Sequence, residues 1–520
     1  MATAIASLLI LVLGADPSID ADWLLRGGTI FRGDGAPGVV GDVAIRDGKI
    51  VAVGQFSPGQ IQRTIDCNRF CVAPGFIDLH THSDEQVVSP NLRACVNYVI
   101  QGCTTSVTGN CGSGPIDVAQ YYARIDAAGA GANVAHLLPQ GSLREKVVGS
   151  VDRKASDDEL QSMKTLMDQA MRDGAWGMST GLIYVPSVYA TTEELIELAR
   201  VAAVHGGIYA SHIRGEGSGL LKAVDESLHI GNAAGLPVHV SHFKSSGSEN
   251  WGLIRQAASL IDAARQQGRP VTADQYPYTA SSTSLEATLF PTWARSGGNE
   301  DLVKRLNDPE TAIRIKRDVQ RDIDRAADGA AIFLARYKAR PEWVGKNLKQ
   351  IAEESRQSAL DIACDVVRNG GAAVVNFSMS EDDVRFAMQL PWVATGSDGR
   401  SYLPGPDRPH PRSYGTFARK IGYYAIREKV ISLESAIRSA SGLPADILGL
   451  KDRGYLRPGL AADIVVFDPT EYIDQATFDD PHRYASGTRF VFVNGTPAVH
   501  DGIPTGALAG RSLKHPSKKD

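Results

Sequence analysis

Two histidines separated by one residue, His80 and His82, are the first side chains in this sequence whose type and spacing could support catalysis or metal binding. They end the apolar segment 75–82. If that segment is an extended strand, alternate side chains share a face, so both imidazoles and the carboxylate of Asp78 point the same way. Two imidazoles on one face can bind a single metal ion, although a pair of this kind also arises by chance.

Two later apolar segments, 207–213 and 237–244, also carry a histidine near their carboxyl end. These residues are His212 and His242. Lys244 shares a strand face with His242, whereas the intervening His239 points the other way and is expected to be a packing residue. Taken alone, a histidine such as His212 or His242 is more often structural than a metal ligand.

A cysteine and an aspartate complete the set of candidate ligands. Cys111 ends the apolar segment 104–111, and a thiolate with two imidazoles would bind zinc while leaving a fourth position open. The alternative is a buried, inert thiol. Asp398 precedes a glycine at the end of segment 393–398, where it is either a turn residue or, beside a metal, a general base.

The candidate ligands can meet only if the strands that carry them end on the same side of the fold. The central part of the chain has the pattern of such strands. Between residues 75 and 447, apolar segments alternate with helical stretches, which predicts an α/β fold of parallel βα units closed into a (β/α)8 barrel. The predicted strands are 75–82, 104–111, 133–138, 174–180, 207–213, 237–244, 271–276 and 393–398. The active site of such a barrel lies at the carboxyl ends of its strands, where all the candidate ligands fall.

The remaining segments predict two additions to the catalytic barrel of residues 74–450. Short strands and turns in 22–73 and 451–510 predict a small β-sandwich domain built from both ends of the chain. Residues 285–371 are rich in charge and helix formers and are too long for one barrel connection, so they predict an inserted lid subdomain.

Composition narrows the classes of function. The net charge is −5, with 54 basic and 59 acidic residues, which is unlike a nucleic-acid-binding surface. Six irregularly spaced cysteines do not predict a disulfide framework. Residues 1–15 contain a short apolar run that has the length of a signal-peptide core, which would make the protein periplasmic or secreted; without such a peptide it would be cytoplasmic. No other segment is long and apolar enough to predict a stable membrane span.

The motifs resemble those of the amidohydrolase superfamily and, more closely, its N-acyl-D-amino-acid deacylase (D-aminoacylase) branch. The resemblance runs from about residue 24 to 510 and is carried by residues 74–82, 109–112, 211–214, 241–244, 276–278, 396–399 and 410–412. It implies a tight Zn²⁺ site at Cys111, His212 and His242. It also implies a weaker second site near His80 and His82, with Asp398, itself a predicted ligand, at the centre. Cys111 would take the bridging role that a carboxylated lysine has in many relatives.

The resemblance also implies a reaction. Hydrolysis of an N-acyl-D-amino acid would use Asp398 as general base and then general acid, releasing a carboxylate and a D-amino acid. The small-molecule substrate's α-carboxylate would meet Lys244, Tyr276, Ser282 and Arg412. Tyr276 is otherwise a half-buried strand aromatic, and Arg412 otherwise forms a surface salt bridge. The alternatives are a cyclic amidase of the dihydroorotase or hydantoinase kind, a catalytically inactive scaffold, and a metal-dependent deaminase.

Overall fold

Eight parallel strands close into a barrel in the computed structural model, which describes residues 18–516. In chain order the barrel strands are Phe76–Asp78, Cys103–Thr108, Asn133–His136 continued by Leu138–Pro139, Gly177–Gly181, Ile208–His212, Val238–Val240, Val271–Gln275 and Val393–Thr395. The interrupted third strand pairs with the second strand on one side and the fourth on the other. A parallel bridge between Thr81 and Gly399 joins the first strand to the eighth. The predicted barrel is confirmed.

Helices follow the barrel strands and cover their outer faces. They are Val96–Val99, Val118–Ala128, Gln140–Val147, Asp157–Arg172, Thr192–Val204, Leu220–Ala234, Ile254–Gln266, Glu381–Met388, Arg412–Ala418 with the π-helical continuation Arg419–Arg427, Leu433–Ala440 and Gly442–Leu448. Asp157–Arg172 shows why such segments are helical. Ser156 and Glu159 form a capping box at its start, and Met163 and Met167 are buried on one face four residues apart.

The two ends of the chain form one nine-stranded sheet beside the barrel. Its strands are Ile19–Ile30, Val39–Arg46, Lys49–Gly54, Pro58–Asp66, Cys71–Pro74, Ile464–Phe467, Thr488–Val493, Thr496–His500 and Ile503–Pro504. Cys71–Pro74 pairs with Ile464–Phe467 and so connects the two ends. The sheet curls over its own core, because Trp23 and Phe492, on strands separated by two others, have ring centroids only 5.4 Å apart. This is the predicted β-sandwich.

An inserted subdomain lies between the seventh and eighth barrel strands. Its helices are Leu285–Leu289, Asn299–Asn307, Pro309–Arg325, Leu348–Ser355 and Ala359–Arg368, and its antiparallel strands are Ser281–Ser284, Ile332–Arg336 and Ala373–Asn376. It has its own apolar core, which includes Ile315, Leu334 and Ile362. The insertion is longer than the predicted 285–371, since it begins with strand Ser281–Ser284 and ends with strand Ala373–Asn376. The first of these strands was not predicted because it contains only serine and threonine, which show no apolar alternation.

Two expectations concern the membrane and the N-terminus. Among residues 18–516, no helix combines the length and the apolar character needed to cross a bilayer. The predicted signal segment 1–15 lies outside the described residues.

Candidate metal centre

A cluster of one thiol and three imidazoles lies at the carboxyl end of the barrel. The Sγ atom of Cys111 is 3.3 Å from His80 Nε2, 3.8 Å from His212 Nδ1 and 3.7 Å from His242 Nε2. The last two nitrogens are 2.7 Å apart. All four residues are buried. The structure therefore brings together the predicted trio of Cys111, His212 and His242, with His80 on the other side of the sulfur.

Asp398 and His82 extend this cluster toward the barrel mouth. Asp398 Oδ1 lies 3.0 Å from His82 Nε2 and 3.5 Å from His80 Nε2. His80, His82 and Asp398 have ligand atoms close enough together to share one ion, as have His80, Cys111 and His242. The six predicted ligands thus form two adjoining groups. One contains Cys111, His212 and His242, the other contains His80, His82 and Asp398, and the groups meet where Cys111 Sγ approaches His80 Nε2.

The backbone positions three of these side chains by leaving the strand conformation. Cys111, His242 and Asp398 have φ values of 52°, 38° and 51°, in the left-handed region that costs a non-glycine residue about 1–3 kcal/mol. The prediction that strands two, six and eight run through these residues is wrong, since the ladders end at Thr108, Val240 and Thr395. The turn after each strand, rather than strand alternation, directs these side chains into the site.

The charges of the cluster favour metal binding. Burial opposes ionisation of the Cys111 thiol, but the charge of His80 and the contacts with His212 and His242 hold the pKa of Cys111 well below its usual range. Burial likewise opposes ionisation of Asp398, yet the charges of Arg412 and His80 hold its pKa well below the usual value. A buried thiolate, imidazole nitrogens and a carboxylate make a donor set that suits zinc.

Two carboxylates that sequence reasoning missed hold the ring nitrogens facing away from the cluster. Asp274 Oδ2 lies 3.2 Å from His80 Nδ1 and 2.8 Å from His239 Nε2, and its Oδ1 accepts the backbone N–H of His242 at 2.8 Å. Glu216 Oε1 lies 2.9 Å from His242 Nδ1. The available signals were an acidic residue inside the predicted barrel strand 271–276 and another in the glycine-flanked loop after His212.

The residues predicted to bind a substrate carboxylate line one side of the cluster. Arg412 is buried and donates to Asp398 Oδ2 at 2.6 Å, so it does not form a surface salt bridge. Its other nitrogen donates to the backbone carbonyl of Ser282 at 3.2 Å. Lys244 donates to Glu216 at 2.5 Å, and the ring of buried Tyr276 lies 5.8 Å from the ammonium and 4.8 Å from the guanidinium.

Two aromatic residues neighbour the histidines of the cluster, Tyr184 in space and Phe243 along the chain. Tyr184, which sequence reasoning missed, places its ring 5.1 Å from that of His212 and its hydroxyl 3.0 Å from the hydroxyl of Thr283 in the insertion. Phe243 is buried and packs against Trp392, so its side chain supplies no ligand.

Known proteins match this sequence over most of its length. The Amidohydrolase family matches residues 63–499. A D-aminoacylase of Alcaligenes xylosoxydans xylosoxydans is 35% identical over 95% of this chain and 97% of its own length. An N-acyl-D-glutamate deacylase of the same organism is 34% identical over 95% and 96%. The crystal structure of N-acyl-D-glutamate deacylase from Bordetella bronchiseptica, complexed with zinc and a phosphonate mimic of the tetrahedral intermediate, is 33% identical with a TM-score of 0.81, over 95% of this chain and all of that one.

Proposed function

This chain belongs to the amidohydrolase family, in the group that contains D-aminoacylase, and we propose a role in amide hydrolysis for each residue of its site. The protein is a metal-dependent hydrolase that cleaves the amide bond of N-acyl-D-amino acids, releasing a carboxylate and a free D-amino acid. The observation that carries the assignment is the buried thiolate and imidazole cluster at the carboxyl end of the barrel.

We assign the tight metal site to Cys111, His212 and His242, and the metal to zinc. Their three ligand atoms lie within 3.8 Å of one another, and the lowered pKa of Cys111 supplies the thiolate. His80, His82 and Asp398 would hold a second, weaker ion. Zinc bound at the tight site would supply Lewis-acid polarisation of the acyl carbonyl and activation of the attacking water.

Asp398 is the residue that moves protons. Its Oδ2 is held by Arg412, which leaves Oδ1 turned toward His82 and His80. Because its pKa lies well below the usual range, the carboxylate is ionised at neutral pH and can accept the proton of the attacking water. It then returns that proton to the nitrogen of the leaving amine, so that no net proton remains on the enzyme.

The substrate's α-carboxylate is assigned to Lys244, Tyr276, Ser282 and Arg412. Burial opposes protonation of Lys244, but the charge of Glu216 raises its pKa, so the ammonium stays charged. Charged donors in a buried wall form stronger hydrogen bonds to a carboxylate than the same groups do in water. This wall would fix the amino-acid end of the substrate and leave its acyl carbonyl facing the metal cluster.

A substrate panel tests the proposed function. The purified protein should hydrolyse N-acetyl-D-amino acids and leave the L enantiomers and cyclic substrates such as dihydroorotate and hydantoins intact. Hydrolysis of the cyclic compounds alone would contradict it and favour a cyclic amidase, and no hydrolysis by the zinc-loaded protein would favour an inactive scaffold.

A further inference from the structure

Glu216 lies outside the proposed ligand set, yet one of its oxygens contacts both halves of the site. Oε1 is 2.9 Å from Nδ1 of His242, a proposed zinc ligand, and 2.5 Å from Nζ of Lys244, a proposed carboxylate-binding group. The Glu216 side chain is 14% exposed, so these contacts are largely shielded from water. The backbone carbonyl of Glu216 accepts the N–H of Ser246 at 2.7 Å, which ties its loop to the loop that follows Lys244.

The two neighbours of His242 Nδ1 have opposite hydrogen-bonding character. Lys244 Nζ lies 2.7 Å from Nδ1 and can only donate, whereas the Glu216 carboxylate can only accept. If Nδ1 accepts from Lys244, the ring hydrogen of neutral His242 must be on Nε2. If Nδ1 donates to Glu216, Nε2 carries a free lone pair.

Nε2 is the nitrogen that faces the metal cluster, 3.7 Å from Cys111 Sγ and 2.7 Å from His212 Nδ1. It can bind a metal only with its lone pair free, so Nδ1 must be the donor. Lys244 then has other acceptors, Glu216 Oε1 and the His242 backbone carbonyl at 2.9 Å. The Glu216 carboxylate thereby accepts hydrogen bonds from both His242 and Lys244, and it keeps the Lys244 ammonium from donating to the His242 ring.

We propose that Glu216 is a positioning residue that sets the His242 ring with Nε2 free for zinc and, through the same oxygen, aims Lys244 at the substrate carboxylate. The proposal rests on the zinc site and the role of Lys244 proposed above. It couples metal binding to substrate recognition, because a change at Glu216 disturbs both. Glu216 also lies close enough to His212 and His242 to be a direct ligand, and the experiment separates these two roles.

The experiment compares Glu216→Gln, Glu216→Leu and Glu216→Leu/Lys244→Met with wild type. Zinc affinity is measured by competition with a chromophoric chelator, and KM for an N-acetyl-D-amino acid is measured at saturating zinc. Glutamine keeps an acceptor oxygen and leucine does not. We expect Glu216→Leu to bind zinc about 10- to 100-fold more weakly and Glu216→Gln to lose clearly less. Glu216→Leu/Lys244→Met should recover part of the lost affinity, because the competing donor is gone. KM should rise in Glu216→Leu even with zinc restored.

Glu226→Leu is the matched control. Glu226 is 15% exposed, lies on helix Leu220–Ala234 and is ion-paired with Arg214 at 2.9 Å. Its loss removes a similar ion pair that involves neither His242 nor Lys244, so zinc affinity should be unchanged. Unchanged zinc affinity in a folded Glu216→Leu would overturn the proposal. Equal losses in the Gln and Leu variants would also overturn it, in favour of direct ligation, and so would a double variant that recovers nothing. If the wild-type protein fails to bind zinc or to hydrolyse the N-acetyl-D-amino acid, the result would instead contradict the proposed function.

Discussion

Replacing Asp398 by asparagine removes one charge from the site with little change of shape. Asp398 accepts from Arg412 at 2.6 Å and lies 3.0 Å from His82 Nε2, so the carboxylate faces a charged donor on one side and an imidazole on the other. An asparagine can offer its carbonyl to only one of them. Its amide has no acidic oxygen with which to take and return a proton.

The size of the effect follows from these contacts. A positioned acid–base group contributes about 10²- to 10⁴-fold to rate, which corresponds to roughly 3–5 kcal/mol of transition-state stabilisation. We therefore expect kcat to fall by that factor. Breaking a buried ion pair also costs about 3–5 kcal/mol of stability, because Arg412 would stay buried without a counter-charge. Zinc at Cys111, His212 and His242 should be retained, since Asp398 contacts the histidines of the other group.

The assay measures deacylation of an N-acetyl-D-amino acid alongside the zinc content of the purified variant. Asp463→Asn is the matched control, because Asp463 is buried and paired with Arg453 in the β-domain. It should lose stability without losing kcat. An Asp398→Asn enzyme that retains zinc and more than about a hundredth of wild-type kcat would refute the assigned role, since proton transfer would then contribute less than the expected minimum of about 10²-fold.

Three other side chains, Cys111, Lys244 and Lys420, can each be tested by substitution. Cys111→Ser should lose tight zinc binding and activity, whereas Cys364→Ser, which changes a buried thiol in the insertion, should keep both; equal zinc contents would contradict the ligand assignment. Lys244→Met should raise KM about 10- to 100-fold and change kcat less, because a charge-assisted hydrogen bond is worth about 1.5–3 kcal/mol; an unchanged KM argues against its carboxylate contact. Lys420 is buried with no hydrogen-bond partner for its amine, and burial lowers its pKa to about 7. Since an unfolded lysine titrates near pH 10.4, the unfolded state binds more protons between these values, and this residue makes stability rise by up to about 4 kcal/mol from pH 7 to 10. Lys420→Met should flatten that rise in denaturant melts and stabilise the protein at pH 7, and an unchanged slope would contradict the lowered pKa.

The residues most visible in the sequence were those whose position follows from a general rule of the barrel fold. His212 is the last residue of its strand, and His80 lies two residues after the end of the first strand, so the rule that barrel chemistry lies at strand ends located both. Cys111 and Asp398 were located by the same rule, although the strands stop earlier than predicted. Their side chains reach the site through left-handed turns. The glycines that follow Cys111 and Asp398 indicate a turn at each place, but they do not indicate that the residue before the glycine adopts the left-handed conformation.

The residues least visible in the sequence act across long stretches of chain. Asp274 is 194 residues from His80, and its role depends on barrel closure, which brings the seventh strand to within one strand of the first. Glu216 is 28 residues from Lys244, and its role depends on how two adjacent loops fold over the strand ends. Strand Ser281–Ser284 was missed because its residues are all polar and its pairing partner, Ala373–Asn376, lies beyond the inserted helices.

The most direct test of metal-dependent deacylation is a zinc titration of the metal-free protein. Hydrolysis of an N-acetyl-D-amino acid and of its L enantiomer is followed as zinc is added. We expect D-substrate hydrolysis to appear in proportion to zinc, to reach its maximum near one equivalent per chain, and to exceed L-substrate hydrolysis throughout. Equal D-substrate hydrolysis without metal, or none after one equivalent has bound, would contradict metal-dependent deacylation.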